Sequence, residues 1–455
     1  MHRAHPVRPA RSAPLAPRTR AAALAALVAL VALACGSESD PGGAAAPPAP
    51  AAPPSAAPAA AASSAPADLP LALVLGLAHF DGAKPLPARM EFVVREGGEW
   101  KVYGIEDEAS DVFHKAMAYV DAEDGGTPKV LTVAGAPVGQ PALVKLWHRE
   151  GATLVPETIW EQSFGGKRNR MRDVEVADLF GDGRATMAVA THDQGVVATI
   201  HPDGQGGFEV TELDREPDTF VHEIEIGDVD GDGVLEVYAT PSEPNKLDGS
   251  DQSGHVVRYV PKKGEGRVVV ADLGNRHAKE IVVADVDGNG TDELYVLVEG
   301  QLAKGSKTEL EHGIEVRRYE AGTDPAGGAV IAAIDDRLCR FATVGDVDGD
   351  GKKEMVIAAF SSGVWLARPG DDPNGAWNVT NIDRDSGGFE HAAILTDLDG
   401  DGRDELYVAS DKHKQLRRYV WNGSAFDRET IYARTDGRAV FTWNIMPVPV
   451  ALVPR

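Results

Sequence analysis

Cysteine is nearly missing: 455 residues hold only Cys35 and Cys339, which excludes a fold stapled by a disulfide framework. Long apolar runs are missing too. The run at residues 21–34 (AAALAALVALVALA) falls short of the about 20 residues that a membrane-spanning helix needs. There is no H-E-x-x-H, no G-x-S-x-G, no P-loop and no dinucleotide fingerprint, so the commonest catalytic frameworks have no foothold. Positive charge is scarce: 45 Lys and Arg face 70 Asp and Glu, for a net −25. Such a surface argues against nucleic acid or anionic lipid as partner.

What is present begins with Arg3, Arg8, Arg11, Arg18 and Arg20, with no acid among them, ahead of the apolar run. That is the pattern of a cleaved signal peptide over residues 1–34, and its loss takes the net charge to −30. Two readings of its end stay open. Ala32-Leu33-Ala34 fits the A-x-A rule of ordinary secretion. Cys35 directly behind it fits a lipobox, although Ala32 stands where a lipobox usually has Leu. Residues 36–67 are rich in Ala, Pro, Ser and Gly and cannot bury a core, so they read as a disordered tether. Fully extended as polyproline, such a tether would reach on the order of 100 Å. A spacer is useful chiefly when something is anchored at its far end, which favours lipid on Cys35. The expected division is signal peptide 1–34, lipidated Cys35 with its tether 35–67, and a globular part 68–455. The expected location is the bacterial cell envelope, lipid-anchored and facing periplasm or exterior, with simple secretion as the other outcome.

The globular part repeats internally. Five segments align: VEVADLFGDGRATMAVAT from Val174, IEIGDVDGDGVLEVYAT from Ile224, IVVADVDGNGTDELYVL from Ile281, ATVGDVDGDGKKEMVIA from Ala342 and AILTDLDGDGRDELYVAS from Ala393. A degenerate sixth, AMAYVDAEDGGTPKVLTVA, starts at Ala116. Each is a short apolar strand, an Asp/Gly loop and a second strand. The first loop aspartates, 121, 178, 228, 285, 346 and 397, recur about every 55 residues. HVVRYV (255–260), EVRRYE (315–320) and QLRRYV (415–420) mark a third strand, and a turn and fourth strand follow. Four antiparallel strands per unit make the blade of an all-β propeller. The residues after 67 have room for seven units, although six loops are visible. The seventh blade is then shared by the ends, with residues 439–452 as its inner strand and 71–77, 90–97 and 100–107 as the other three. Such closure hides the sheet edges. Six blades plus an appended hairpin is the other reading.

The D-x-D-G-D-G-x-x-E loop inside a four-strand unit resembles the FG-GAP/VCBS repeats known from the propeller of integrin α chains. The resemblance implies that positions one, three, five and nine supply side-chain oxygens to calcium and position seven a backbone carbonyl; calcium takes six to eight oxygens. The four complete sets are Asp228, Asp230, Asp232, Val234, Glu236; Asp285, Asp287, Asn289, Thr291, Glu293; Asp346, Asp348, Asp350, Lys352, Glu354; and Asp397, Asp399, Asp401, Arg403, Glu405. About four calcium ions are therefore expected, in a structural role. The loop at Asp178 has Phe180 and Thr186 at positions three and nine. The loop at Asp121 has Gly125 and Lys129 at positions five and nine, and both loops are expected to be metal-free.

Two functions remain open: a non-catalytic module, monomeric, that binds a glycan, wall component or protein, and a lyase-like enzyme, since some rhamnogalacturonan lyases use propellers with this loop. Cys339 reads as a small buried residue, and Trp100, Trp147, Trp160, Trp365, Trp377, Trp421 and Trp443 read largely as packing between blades. One further pattern stands out. Six residues before each first aspartate lies Lys115, Arg172, His222, Lys279, Arg340 or His391, with Arg438 at the corresponding place in the closing unit. These residues form either an anion-binding ring at the entry of the inner strands or a girdle of ion pairs with adjoining Asp173, Glu223, Glu280 and Glu390.

Overall fold

The computed structural model describes residues 71–455 except 123–124, 167–168, 193, 245, 247–249, 307 and 436. The signal segment, Cys35 and the tether lie outside the described residues. Those described form antiparallel strands with two single-turn 3-10 helices and no α-helix.

The described strands form antiparallel sheets, most of them four-stranded units; in one eight-stranded sheet two such units are joined at Gly135↔Arg170. The unit carrying Asp228 is representative: Phe220–Gly227, Glu236–Ser242, His255–Val260 and Glu265–Asp272 pair in that order. The inner strands of the others are Val112–Tyr119, Arg170–Ala177, Ala278–Ala284, Cys339–Gly345, Ala393–Thr396 and Ala439–Pro449. Each inner strand contacts the inner strand of the next unit, and the last contacts the first. This is a β-propeller.

The closing unit joins the two ends of the described chain. Ala439–Pro449 pairs with Leu71–Asp81 from Leu71↔Pro449 to Phe80↔Ala439, and Ala88–Glu96 and Glu99–Asp107 complete the sheet. On one side Val74, Met90 and Phe92 pack with Phe113 and Trp147 of the first unit. On the other, Leu73, Leu75 and Leu77 pack with Tyr407, Ala409 and Leu416 of the last. Lys145 reaches across to Asp107 at 2.7 Å, with both side chains buried.

Each sheet is sandwiched between two neighbours, and this explains its sequence. Second strands such as Glu293–Val298 and Glu405–Ser410 are buried throughout, so they read as continuous apolar runs (ELYVLV, ELYVAS). Outer strands such as Phe208–Arg215 face water on one side and mix apolar and charged residues. Several tryptophans do join units: Trp377 tilts against Tyr295 at 5.7 Å and Trp100 meets Tyr407 edge-on at 6.4 Å. Trp443 differs, lying on the inner closing strand. Cys339 is fully buried at the head of an inner strand, and burial pushes its thiol well above the usual range, so it stays protonated.

Candidate metal centres and the two rims of the inner strands

Each complete loop begins where an inner strand ends, and its backbone closes onto its first aspartate. Asp228 accepts from the N–H of Asp232 (3.0 Å) and Gly233 (2.8 Å), and Asp285 from Asn289 (3.0 Å) and Gly290 (2.9 Å). Asp346 accepts from Asp350 and Gly351, and Asp397 from Asp401 and Gly402, at 2.8–3.2 Å. The glycines at positions four and six make this turn possible: Gly231 and Gly233 have φ of 69° and 78°, which side chains rarely adopt. The ninth-position glutamate reaches back to the loop, Glu236 accepting from Val229 N–H at 3.1 Å and Glu354 from Val347 at 3.1 Å.

The folding of the loop gathers the carboxylates. Oxygens of Asp285, Asp287 and Glu293 lie within 4.8 Å of one another, as do those of Asp346, Asp348 and Glu354, and of Asp397, Asp399 and Glu405. In the first complete loop the set is Asp228, Asp230 and Asp232, and Glu236 stands outside it. Oxygens on opposite sides of a calcium ion would be about 4.6–5.2 Å apart, so these donor sets fit an ion of that size. Two fifth-position aspartates also meet cations: Asp232, within its set, pairs with Lys263, and Asp401, outside its set, with Arg403. The seventh-position residues Val234, Thr291, Lys352 and Arg403 each donate their own N–H to the fifth side chain at 2.8–3.0 Å.

Two features of these centres escaped the sequence reading. An arginine from the third strand bridges the third-position aspartate and ninth-position glutamate of its own loop. Arg258 meets Asp230 (3.4 Å) and Glu236 (2.7 Å), Arg318 meets Asp287 (2.7 Å) and Glu293 (3.0 Å), and Arg368 meets Asp348 (2.7 Å) and Glu354 (2.9 Å). Arg418 meets Asp399 at 2.6 Å and also Glu405. One fixed positive charge thus offsets part of the carboxylate repulsion, and three of these arginines stand in the third-strand repeat itself. The second feature crosses between units. The eighth-position Asp292 accepts from the N–H of Asp228 at 2.9 Å, and Asp404 from that of Asp346 at 2.9 Å. The receiving position needs a glycine just before it: a Cβ on Gly227 would sit 2.8 Å from Asp292 Oδ2, and one on Gly345 2.4 Å from Asp404 Oδ2.

The departing loops are filled by other side chains. At Asp178, Phe180 lies edge-on to His201 at 4.7 Å, Thr186 hydrogen-bonds His201 at 2.8 Å, and Arg184 pairs with Asp182. At Asp121, that residue and Lys129 line one cavity of about 440 Å³ with Tyr119, Leu146 and Phe208.

The opposite ends of the inner strands carry the basic residues, and a recurrent irregularity aims them. Pairing with the second strand slips beside Arg172, His222, Lys279 and Arg340, a β-bulge that takes the basic residue out of the ladder. In the first unit the residue passed over is His114, next to Lys115, and in the closing unit it is Trp443. Acids interleave with these cations. Lys115 pairs with Asp173 at 2.9 Å and with Glu175; Lys279 with Glu280 at 2.8 Å and Glu390 at 3.5 Å; Arg340 with Glu390 at 3.1 Å and Glu299 at 3.8 Å. His391 is fully buried between Ser386 (2.7 Å) and the Ala359 carbonyl (2.8 Å), and burial holds it down at about 4. Arg438 is exposed and lines a separate cavity of about 240 Å³ with Arg89, Glu91 and Arg434. Burial and facing carboxylates push Glu223 and Glu225 well above the usual range. Carboxylates on the same and neighbouring strands therefore interleave with Lys115, Lys279 and Arg340, as ion pairs of the girdle reading would.

Residues 346–408, which span the loops at Asp346 and Asp397, match the FG-GAP-like repeat family. None of the curated proteins matches the chain in sequence. Among solved structures, a Lactobacillus plantarum protein is similar with 10% identity and a TM-score of 0.51, over 84% of this chain and 100% of that one. A Bacteroides fragilis protein proposed to be a 6-phosphogluconolactonase aligns with 13% identity and a TM-score of 0.50, over 85% and 100%. These likenesses show the propeller fold and nothing of activity. The likeness to an Agrocybe aegerita lectin that recognises non-reducing terminal N-acetylglucosamine, at 16% identity over 82% and 95% of the chains, has a TM-score of 0.48, too slight to argue from.

Proposed function

We propose that this protein is a calcium-stabilised, seven-bladed propeller, held at the bacterial cell envelope through lipid on Cys35, that acts as a non-catalytic, monomeric binding module for a glycan, wall component or protein. The observation that carries the calcium reading is the recurrence, in four successive units, of three carboxylates within 4.8 Å. Asp228, Asp285, Asp346 and Asp397 with their third, fifth and ninth partners would hold the ions, and Val234, Thr291, Lys352 and Arg403 would add carbonyls. Bound there, calcium would neutralise charge and tie two strands of one blade together, a structural use of the metal. Support for a binding role comes from the absence of catalytic motifs and from the tether, which would carry the propeller clear of its anchor. No helix among the described residues is long and apolar enough to cross a membrane, so attachment would rest on the lipid.

The test joins binding to chemistry. The mature protein, with calcium present, is screened against envelope glycans and envelope protein extracts and assayed for unsaturated sugar products. Saturable binding without product formation is expected; product formation would replace this reading with a lyase. Cys35→Ala is expected to move the protein out of the membrane fraction, and full retention would overturn the anchor.

A further inference from the structure

The basic residues at the bulge rim do not stand alike. Lys115, Lys279 and Arg340 each have two carboxylates within reach. Arg172 has none. It is only 7% exposed, and among the described residues no hydrogen bond or ion pair holds its guanidinium. Its close partner is the face of Trp443, 4.5 Å from guanidinium carbon to ring centroid. His114 lies edge-on to the same indole at 4.8 Å and is tied by Nδ1 to the Met171 carbonyl at 2.9 Å. Burial first, and then the nearby arginines, push His114 well below the usual imidazole range, so at neutral pH it adds no charge.

A largely buried guanidinium that no carboxylate hydrogen-bonds is costly, and folded proteins keep very few. Buried polar groups nearly always have partners, and one without them calls for a ligand, ion or water. The surroundings also suit a ligand more than an accident of packing. The bulge between the strands of this unit turns Arg172 out of the ladder, and Trp443 holds the guanidinium plane in place. A fixed guanidinium offers a rigid fork of N–H donors that matches the two oxygens of a carboxylate. Half-buried Trp443 supplies an apolar wall beside it, the mixture of one placed charge and one aromatic surface that small-ligand sites use.

We infer that Arg172, braced on Trp443, is a binding site for a carboxylate group, and that its ligand is the uronic acid of an acidic glycan. This rests on the glycan-binding reading above and narrows it to one side chain of the six basic positions. Removing Arg172 breaks no ion pair, so its variants are expected to fold.

The experiment titrates calcium-loaded protein with digalacturonate, with the corresponding neutral disaccharide, with acetate and with a short aspartate peptide at fixed ionic strength. Binding is followed calorimetrically and by indole fluorescence. Digalacturonate is expected to bind, Arg172→Gln to weaken it roughly tenfold or more, and Arg172→Lys to recover only part. Trp443→Phe is expected to remove the fluorescence change, while calcium content and Tm stay as in wild type. Equal affinity for acetate would mean an adventitious ion only and would overturn the site. Preference for the aspartate peptide would overturn the glycan and make the partner a protein. Binding of neutral glycans but not digalacturonate would overturn this inference and leave the module reading standing. Failure of every glycan together with the peptide would remove both.

Discussion

The two ends of the inner strands solve the same problem, how to bury charge, in different ways. At the loop end every partner set repeats: first aspartate onto the fifth and sixth N–H, third-strand arginine onto the third and ninth carboxylates. At the bulge end the residue class repeats but its partners do not. Lys115 meets Asp173 and Glu175, Arg340 meets Glu390 and Glu299, and Arg172 meets an indole. The difference lies in where the partners come from. Those of the loop, the Asp292 and Asp404 contacts apart, belong to the same unit and are copied with it. Those of the bulge often come from a neighbour, and neighbours have diverged. Repetition within a unit marks structural work; irregularity between units is where an individual function has room.

The largest effect should come from emptying the loop end. A site with ligand at a hundredfold over its Kd adds about 2.7 kcal/mol. Chelation is therefore expected to lower Tm by several degrees or more, and elemental analysis to find about four calcium ions per chain. Zero or one ion, with Tm unmoved, would collapse the contrast between the ends. Next is Arg340→Gln, which leaves buried Glu390 only its longer contact with Lys279 and buried Glu299 only His277. Breaking a buried pair from one side costs about 3–5 kcal/mol, read by denaturant unfolding, with calcium content unchanged. A loss under about 1 kcal/mol would mean that the girdle does not hold the ring.

A smaller effect sharpens the picture of the loops. Asp404→Ala leaves the Asp346 N–H without its acceptor, at about 1–3 kcal/mol. Because Asp404 adjoins Glu405, calcium affinity is expected to fall at the Asp346 and Asp397 loops together and to hold at those of Asp228 and Asp285. Uniform loss at all four, measured by calcium titration, would contradict the pairing. The smallest effect is expected for Arg172→Gln, within about 0.5 kcal/mol of wild type, since no ion pair is broken and Glu280 keeps Lys279. A loss like that of Arg340→Gln would show that Arg172 belongs to the girdle.

Much of this was legible beforehand. The period of the first aspartates and the third-strand motif lead to the four-stranded unit, and the apolar strands at both ends of the globular part lead to the unit they close together. The loop resemblance points to the carboxylates that gather there, although Glu236, Asp350 and Asp401 stand outside the gathered sets. What the sequence hid is contact that depends on strand register or leaves the unit. The arginine in HVVRYV is visible as a repeat, but its aim at Asp230 and Glu236 depends on strand register. The pairing of Gly227 with Asp292 and of Gly345 with Asp404 was present as co-occurrence: glycine precedes the first aspartate where the next loop has aspartate at position eight. The six basic positions align in the sequence, yet alignment gives no counter-ions. Only the three-dimensional neighbours separate Arg172 from Arg340.

The closing unit also sets an order of events for assembly. Leu71–Asp81 is the first described strand to be synthesised, and its edge partner, Ala439–Pro449, is nearly the last. Until that partner arrives, an apolar strand with unpaired N–H and C=O groups waits through the synthesis of the units between. Contacts of such long sequence separation form slowly, and an open apolar edge is a template for pairing with another copy. The growing chain therefore passes through a stage in which every blade but one can be complete while the molecule is still an open, self-associating crescent. Its vulnerability is a matter of time rather than of final stability.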